Sequence, residues 1–387
     1  MSKKIKFATI VRQMKKIILI IVTMLLIGLV ALILVFDNTE SFDRGSISVN
    51  NIVGNITGEK KDNKPELDKE KYDELSEYVA NNPEPKEIIV TSTSTNSNGE
   101  IVYSTSTKIV KEEHLYPVKD AVYPKAGAIL PFNRIIAYYG NFYSTRMGIL
   151  GEFEEEEVLR RLQEEIDKWN EADPEINALP AIHYIASTAQ GTPGDEGLYT
   201  LRMPDEHIER AISMADKIDA ITFLDLQVGL STIERELPYI EEHLKNPKVH
   251  LAIDPEFSMK SGDRPGTIIG HFTDDDINFV INRLSKIVRE NDLPPKVLVL
   301  HRFTQNMIQN YQNIKPTEEV QVVVHMDGWG SPARKFGTYN YVVAPEPIQF
   351  TGFKIFYGND LKEEPHRLVE PEELLKLQPN PVYIQYQ

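Results

Sequence analysis

The stretch AITFLDLQVGLSTIERELPYIEEHLKNPKVHLAIDPE, residues 220–256, decides the fold. It opens on an apolar run at 220–227, passes through an amphipathic segment at 232–243 and closes on a second apolar run at 249–256. Short apolar runs bounded by turn residues are the pattern of buried strands, and the segment between them has the spacing of a helix. The same unit recurs on both sides. Further strands are expected at 134–140 (RIIAYYG), 179–186 (LPAIHYIA), 297–301 (VLVLH), 320–327 (VQVVVHMD), 348–356 (IQFTGFKIF) and 382–387 (VYIQYQ). Helices are expected at 154–170, where Val158, Leu162, Ile166 and Trp169 recur at helical spacing, and at 204–217 and 274–290. Ser231 with Glu234, and Thr273 with Asp276, have the spacing of helix caps, which gives the acidic run Asp274, Asp275 and Asp276 a structural reading. Eight strands alternating with helices over about 250 residues is the arithmetic of an α/β fold of the (β/α)8 TIM-barrel type. A doubly wound open sheet is the rival. The strand count, the absence of a Gly-rich dinucleotide fingerprint after the first strand and a chain that ends on a strand favour closure.

Outward from the barrel, the N-terminal part reads differently. Residues 17–36 (IILIIVTMLLIGLVALILVF) carry no charge and a single polar residue, Thr23. About 20 such residues match the hydrocarbon thickness of a bilayer. Lys3, Lys4, Lys6, Arg12, Lys15 and Lys16 precede the span, and Asp37, Glu40 and Asp43 follow it. The positive-inside rule therefore predicts a basic cytoplasmic tail at 1–16, a transmembrane signal anchor at 17–36 that holds the protein in the cell membrane, and an extracytoplasmic remainder. A cleaved signal peptide fits less well, since its apolar region is shorter and ends on a small-x-small site. A polar linker is expected at 37–125 and the barrel at 126–387. Within the linker, Leu67, Tyr72, Leu75 and Val79 mark a short amphipathic helix ended by Pro83 and Pro85. Two β-prone runs around Asn98-Gly99 read equally as a hairpin or as a Thr/Ser-rich stalk.

The chain of 387 residues has 42 Lys+Arg, 58 Asp+Glu and no cysteine. A net charge of −16 argues against a general nucleic-acid binder. The lack of cysteine excludes disulfides, thiolate metal sites and a Cys nucleophile.

In a barrel of this kind, functional side chains stand at the carboxyl ends of strands on inward positions. Period-two parity places Asp225 and Gln227 on the face of Phe223, Asp254 and Glu256 on that of Ala252, His301 on that of Val299, and His325 with Asp327 opposite Val324. Four neighbouring strands thus end in polar groups on one face. Such groups are costly to bury unless paired, so their clustering predicts a polar pocket. His183, in mid-strand, reads as a hydrogen-bonded core histidine. Asp254 has the structural alternative of a bridge to His301 or Arg302. Aromatic residues follow several strands, among them Tyr139, Phe257, Trp329, Phe356 and Tyr357. Aromatic rings around a carboxylate-lined pocket suit sugars, which stack their apolar faces and hydrogen-bond their hydroxyls.

The segments Tyr138-Tyr139-Gly140, Met147-Gly148-Ile149-Leu150-Gly151-Glu152, Leu224-Asp225-Leu226-Gln227, Ala252-Ile253-Asp254-Pro255-Glu256, Val299-Leu300-His301-Arg302-Phe303, Val324-His325-Met326-Asp327-Gly328 and the terminal Tyr383 to Gln387 together carry a resemblance. The region 134–387 resembles a group of secreted or membrane-anchored bacterial barrel proteins, glycoside-hydrolase-like in architecture and without an assigned activity. The resemblance implies a barrel in an extracytoplasmic bacterial setting and supplies no catalytic residues. Asp254-Pro255-Glu256 only echoes the end of the Asp-x-x-Asp-x-Asp-x-Glu signature of chitinase-like barrels.

Three functions are compatible with this pattern. The first is a glycoside hydrolase acting on cell-envelope or extracellular polysaccharide, with Glu256 as acid and Asp327 or Asp225 as base or nucleophile. In that reading Asp254 and His301 tune the acid, while Tyr139, Gln227, His301, His325, Trp329, Lys354 and Tyr357 hold the sugar, with no cofactor and no metal. The second is a metal-dependent hydrolase drawing on Asp225, Asp254, Glu256, His301, His325 and Asp327, although no His-x-His or His-Glu-x-x-His spacing is present. The third is a non-catalytic module that binds glycan or a protein partner.

Overall fold

The computed structural model describes residues 66–110, 113–119 and 121–387. The expected tail at 1–16 and span at 17–36 lie outside them. Among the described residues no helix is long and apolar enough to cross a membrane.

The first helix, α1 (Lys69–Ala80), begins where the Asp68 side chain accepts from the Lys71 amide. It is the amphipathic helix expected from Tyr72, Leu75 and Val79, and those three side chains are buried. Next come β1 (Lys86–Thr95) and β2 (Ile101–Val110), an antiparallel hairpin with Thr91 opposite Thr105. The loop between them spans Asn96 to Glu100, wider than a two-residue Asn-Gly turn. The Asn96 side chain accepts from the amides of Asn98 and Glu100.

The barrel strands are β3 (Asn133–Gly140), β4 (Asn177–Ala189), β6 (Ile221–Leu226), β7 (Val249–Ile253), β8 (Lys296–Arg302), β9 (Val320–Met326), β10 (Phe350–Ile355) and β11 (Tyr383–Tyr386). Strand β5 (Thr200–Arg202) is a short antiparallel addition to the end of β4. The eight barrel strands are all parallel, and β11 pairs with β3, Tyr383 beside Ile135, to close the ring. The closed ring expected from the strand count is therefore present.

The outer layer is uneven. Helices α2 (Ile149–Glu152) and α3 (Glu155–Ala172) follow β3, α4 (Asp205–Asp216) precedes β6, and α6 (Asp274–Glu290) precedes β8. Helix α6 opens on the expected capping box, Thr273 and Asp276 bonding each other's backbone amides. The helix expected at 232–243 is mostly absent. Only α5 (Ile233–Glu236) forms, and 3-10 turns at Leu237–Tyr239 and His243–Lys245 continue the path. Pro238 explains the break, because it lacks the amide that would bond back to Glu234. Ser231 does not cap this helix; its hydroxyl donates to the Glu236 carboxylate at 2.5 Å. Between β8 and β9 there are only 3-10 turns, while α7 (Pro332–Thr338) and α8 (Pro371–Leu374) complete the ring.

Two apolar layers result. One packs strand exteriors against helices through residues such as Leu224, Leu298, Val322, Val158 and Ile281. The other fills the amino-terminal half of the barrel with Ile135, Ala137, Ala181, Phe223, Ala252, Val299 and Val323. Tyr72, Leu75 and Val79 of α1 join this inner cluster, so α1 packs against the barrel floor although the sequence placed it in the linker.

Candidate functional site

Above the apolar floor, the barrel interior turns polar in two steps along its axis. The lower step consists of His183 from β4, Asp225 from β6, His301 from β8, His325 from β9, and Tyr383 and Gln385 from β11, all fully buried. Register aligns three of them on neighbouring strands: His301 pairs with His325, and Gly352 with both His325 and Tyr383. Glycine is required at 352. A Cβ there would stand 2.9 Å from the Tyr383 carbonyl and 3.0 Å from the His325 ring.

The upper step opens on a cavity of about 770 Å³ at the carboxyl ends of the strands, within the usual range of small-molecule sites. Tyr139, Gln227, Asp254, Glu256, Asp327, Trp329 and Lys354 line it. These seven were all singled out from parity or loop position. Phe257, Phe303 and Phe356 complete an aromatic wall, and Trp329 is 45% exposed beneath the Arg334 guanidinium.

The carboxyl groups at this mouth differ in their surroundings. Asp327 is held by the Lys354 ammonium at 3.0 Å and by His301 Nδ1 at 2.6 Å. Burial alone would raise its pKa, but Lys354 and His301 outweigh that and hold it below the usual carboxylate range. Glu256 stands on the 3-10 turn Pro255–Phe257, directly after β7. Burial, reinforced by the nearby Asp327 charge, pushes it up to about 7. Asp254 caps that turn, accepting from the Glu256 amide at 3.3 Å, and Gln227 Nε2 donates to it at 3.3 Å. Burial, together with the charges of Glu256, Asp225 and Asp327, raises the Asp254 carboxyl well above its ordinary value. The mouth thus combines protonated and ionised carboxyls within one cavity.

Four of the residues singled out from the sequence do not line the cavity. Asp225, expected as an alternative base or nucleophile, lies one step deeper on its strand than Gln227, too deep to touch a ligand in the mouth. His301 and His325, expected to hold substrate hydroxyls, lie at the same depth beneath the mouth. The Tyr139 ring stands over His301 at 6.1 Å between centroids. Burial also pushes the His325 imidazole well below its ordinary value. Tyr357 points away from the barrel: Lys354 and Phe356 face inward, so parity turns it out. Its hydroxyl bonds Tyr138 at 3.0 Å and Glu165 at 2.8 Å. Lys354 lines the mouth with its ammonium engaged by Asp327 and lying over the Tyr139 ring at 4.0 Å. The bridge from Asp254 to His301 or Arg302 does not form, because Arg302 turns outward to Glu346.

His183 is buried and hydrogen-bonded, as expected of a core histidine; it faces the axis beside Asp225, and Tyr383 and Gln385 meet its ring. The places of Tyr383 and Gln385 beside it, and of two cavity arginines, escaped the sequence reading. The alternation of Tyr383, Gln385 and Gln387 on the last strand is the signal that places them inside. Arg146 and Arg334, which line the cavity from loops, leave no periodic trace. The chain matches no protein-family model and no curated protein.

Proposed function

We propose that this protein is a membrane-anchored, extracytoplasmic hydrolase of glycosidic bonds, acting on cell-envelope or extracellular polysaccharide. One observation carries the reading: Glu256 and Asp327 open on the same aromatic-walled cavity in opposite electrostatic settings. Hydrolysis of a glycosidic bond needs one carboxyl that gives a proton to the leaving oxygen and one that stays ionised as charge develops on the sugar. Glu256, which has no cation bonded to it among the described residues and is half shielded from water, keeps its proton near neutrality and is the acid. Asp327, pinned by Lys354 and His301, stays ionised and faces the developing positive charge. Gln227 orients Asp254, which supports the turn that carries Glu256. Phe257, Phe303, Phe356 and the exposed Trp329 supply stacking faces for sugar rings. The anchor at 17–36 would place this cavity outside the cytoplasm and beside the envelope.

The test is sugar release from a panel of envelope and extracellular glycans by the full-length protein. Glu256→Gln and Asp327→Asn should each lower turnover by at least about a hundredfold, as expected for loss of a general acid or of a charge-stabilising group. Turnover unchanged in both variants would refute the assignment. Glycan binding by the unaltered protein with no turnover at any pH would make it a binding module instead.

A further inference from the structure

Below the mouth, His183, Asp225 and His301 bring their functional atoms to one point on the barrel axis from β4, β6 and β8. Asp225 Oδ2 lies 3.4 Å from His183 Nε2 and 3.4 Å from His301 Nε2. Neither nitrogen, nor either oxygen of Asp225, has a hydrogen-bond partner among the described residues, and all three side chains are fully buried.

The opposite edge of each imidazole is engaged. His301 Nδ1 meets Asp327 Oδ2 at 2.6 Å, and His183 Nδ1 meets the Tyr383 hydroxyl oxygen, which can accept its proton, at 2.5 Å. An imidazole that keeps its proton on Nδ1 presents a lone pair on Nε2. Two lone pairs then face a carboxylate in a dry interior, an arrangement that is costly unless a cation lies among them. Both histidine-to-carboxylate separations agree. Charge-assisted N–H···O bonds run about 2.7–2.9 Å, shorter than the contacts here. Donors held about 2.0–2.2 Å from a tetrahedral ion lie about 3.3–3.6 Å from one another.

The geometry points to a divalent transition-metal site formed by His183 Nε2, Asp225 and His301 Nε2, with Zn²⁺ the ion that two imidazoles and a carboxylate suit best. Asp327 behind His301, and Tyr383 behind His183, are the outer partners that fix ring orientation in such sites. The Tyr139 ring lies over His183 at 5.1 Å and over His301, between the site and the mouth. The ion therefore ties β4, β6 and β8 together beneath the cavity, and its presence does not depend on the reaction proposed above. Its charge balances Asp225, whose two oxygens have no hydrogen-bond partner among the described residues.

The experiment is elemental analysis of the full-length protein purified without chelator, followed by removal of metal and refilling with Co²⁺. About one equivalent of metal per chain is expected, with visible absorption bands of tetrahedral Co²⁺ after refilling and a higher melting temperature with Zn²⁺ than without. Asp225→Asn and His301→Gln should lower metal content at least tenfold, whereas Glu256→Gln should retain it. If those two variants do not fold, the Co²⁺ spectrum of the unaltered protein decides. Protein that is metal-free as isolated and neither takes up Co²⁺ nor gains stability from Zn²⁺ would overturn the site. So would full metal content in folded Asp225→Asn and His301→Gln.

Discussion

Glu256 shows how far one side chain depends on what surrounds it. Burial raises its carboxyl most, the Asp327 charge adds to that, and the Lys354 ammonium opposes both without cancelling them. Its carboxyl is raised from the ordinary 4.5 to about 7, so the acid form needed for catalysis is lost as pH rises through about 7. Hydrolysis rate should accordingly fall on the alkaline side of neutrality, which a pH–rate profile checks. The same shift carries a stability consequence with a definite sign. A carboxyl whose folded pKa exceeds its unfolded one favours the folded state below about 4.5, and that benefit disappears as pH rises toward about 7. Glu256→Gln, which cannot ionise, should therefore be more stable than the unaltered protein by about 3 kcal/mol at pH 8 and equal to it near pH 4. Denaturant unfolding at the two pH values reads the difference. Residue type and parity brought Glu256 to notice in the sequence. Its depth relative to Asp225, which follows the same parity rule, depends on where each strand ends against its neighbours, and no period in the sequence encodes that.

Individual elements divide into those the barrel needs and those it does not. Helix α1 buries Tyr72, Leu75 and Val79 in the inner apolar cluster. Leu75→Ala should cost about 2–4 kcal/mol in denaturant unfolding, the usual range for a buried leucine. The hairpin β1–β2 is the contrasting case, since its described strand side chains are all exposed. Lys86 pairs directly with Val110, so a short Gly/Ser linker can replace everything between them. That replacement should leave stability within about 0.5 kcal/mol. The sequence held the apolar spacing of α1 and the β-prone runs of the hairpin, but not the surface each would meet. A short helix set among polar residues has the pattern of a linker until the barrel floor it covers is known. The missing turns after Ile233–Glu236 were legible in Pro238, which the 3.6-residue spacing of Ile233, Leu237 and Ile240 outweighed.

At the scale of the whole molecule, closure of the barrel creates the site. Strand number, strand direction and the face of each polar group were legible because buried parallel strands impose period two and a uniform apolar exterior. The second polar step beneath the mouth was not, because its members come from β4, β6, β8, β9 and β11 and meet only across the axis. Glu256 follows β7 and Asp327 follows β9, with β8 between them. The charge of one can act on the other only if both point into the same cavity. The most direct measurement is therefore the ionisation midpoint of Glu256, taken from the difference between infrared carboxyl spectra of the unaltered protein and Glu256→Gln. The same titration is then repeated in an Asp327→Asn background. A midpoint of about 7 is expected, falling by about one unit when the Asp327 charge is removed. A midpoint in the ordinary range of 4 to 5, unmoved by Asp327→Asn, would contradict that expectation.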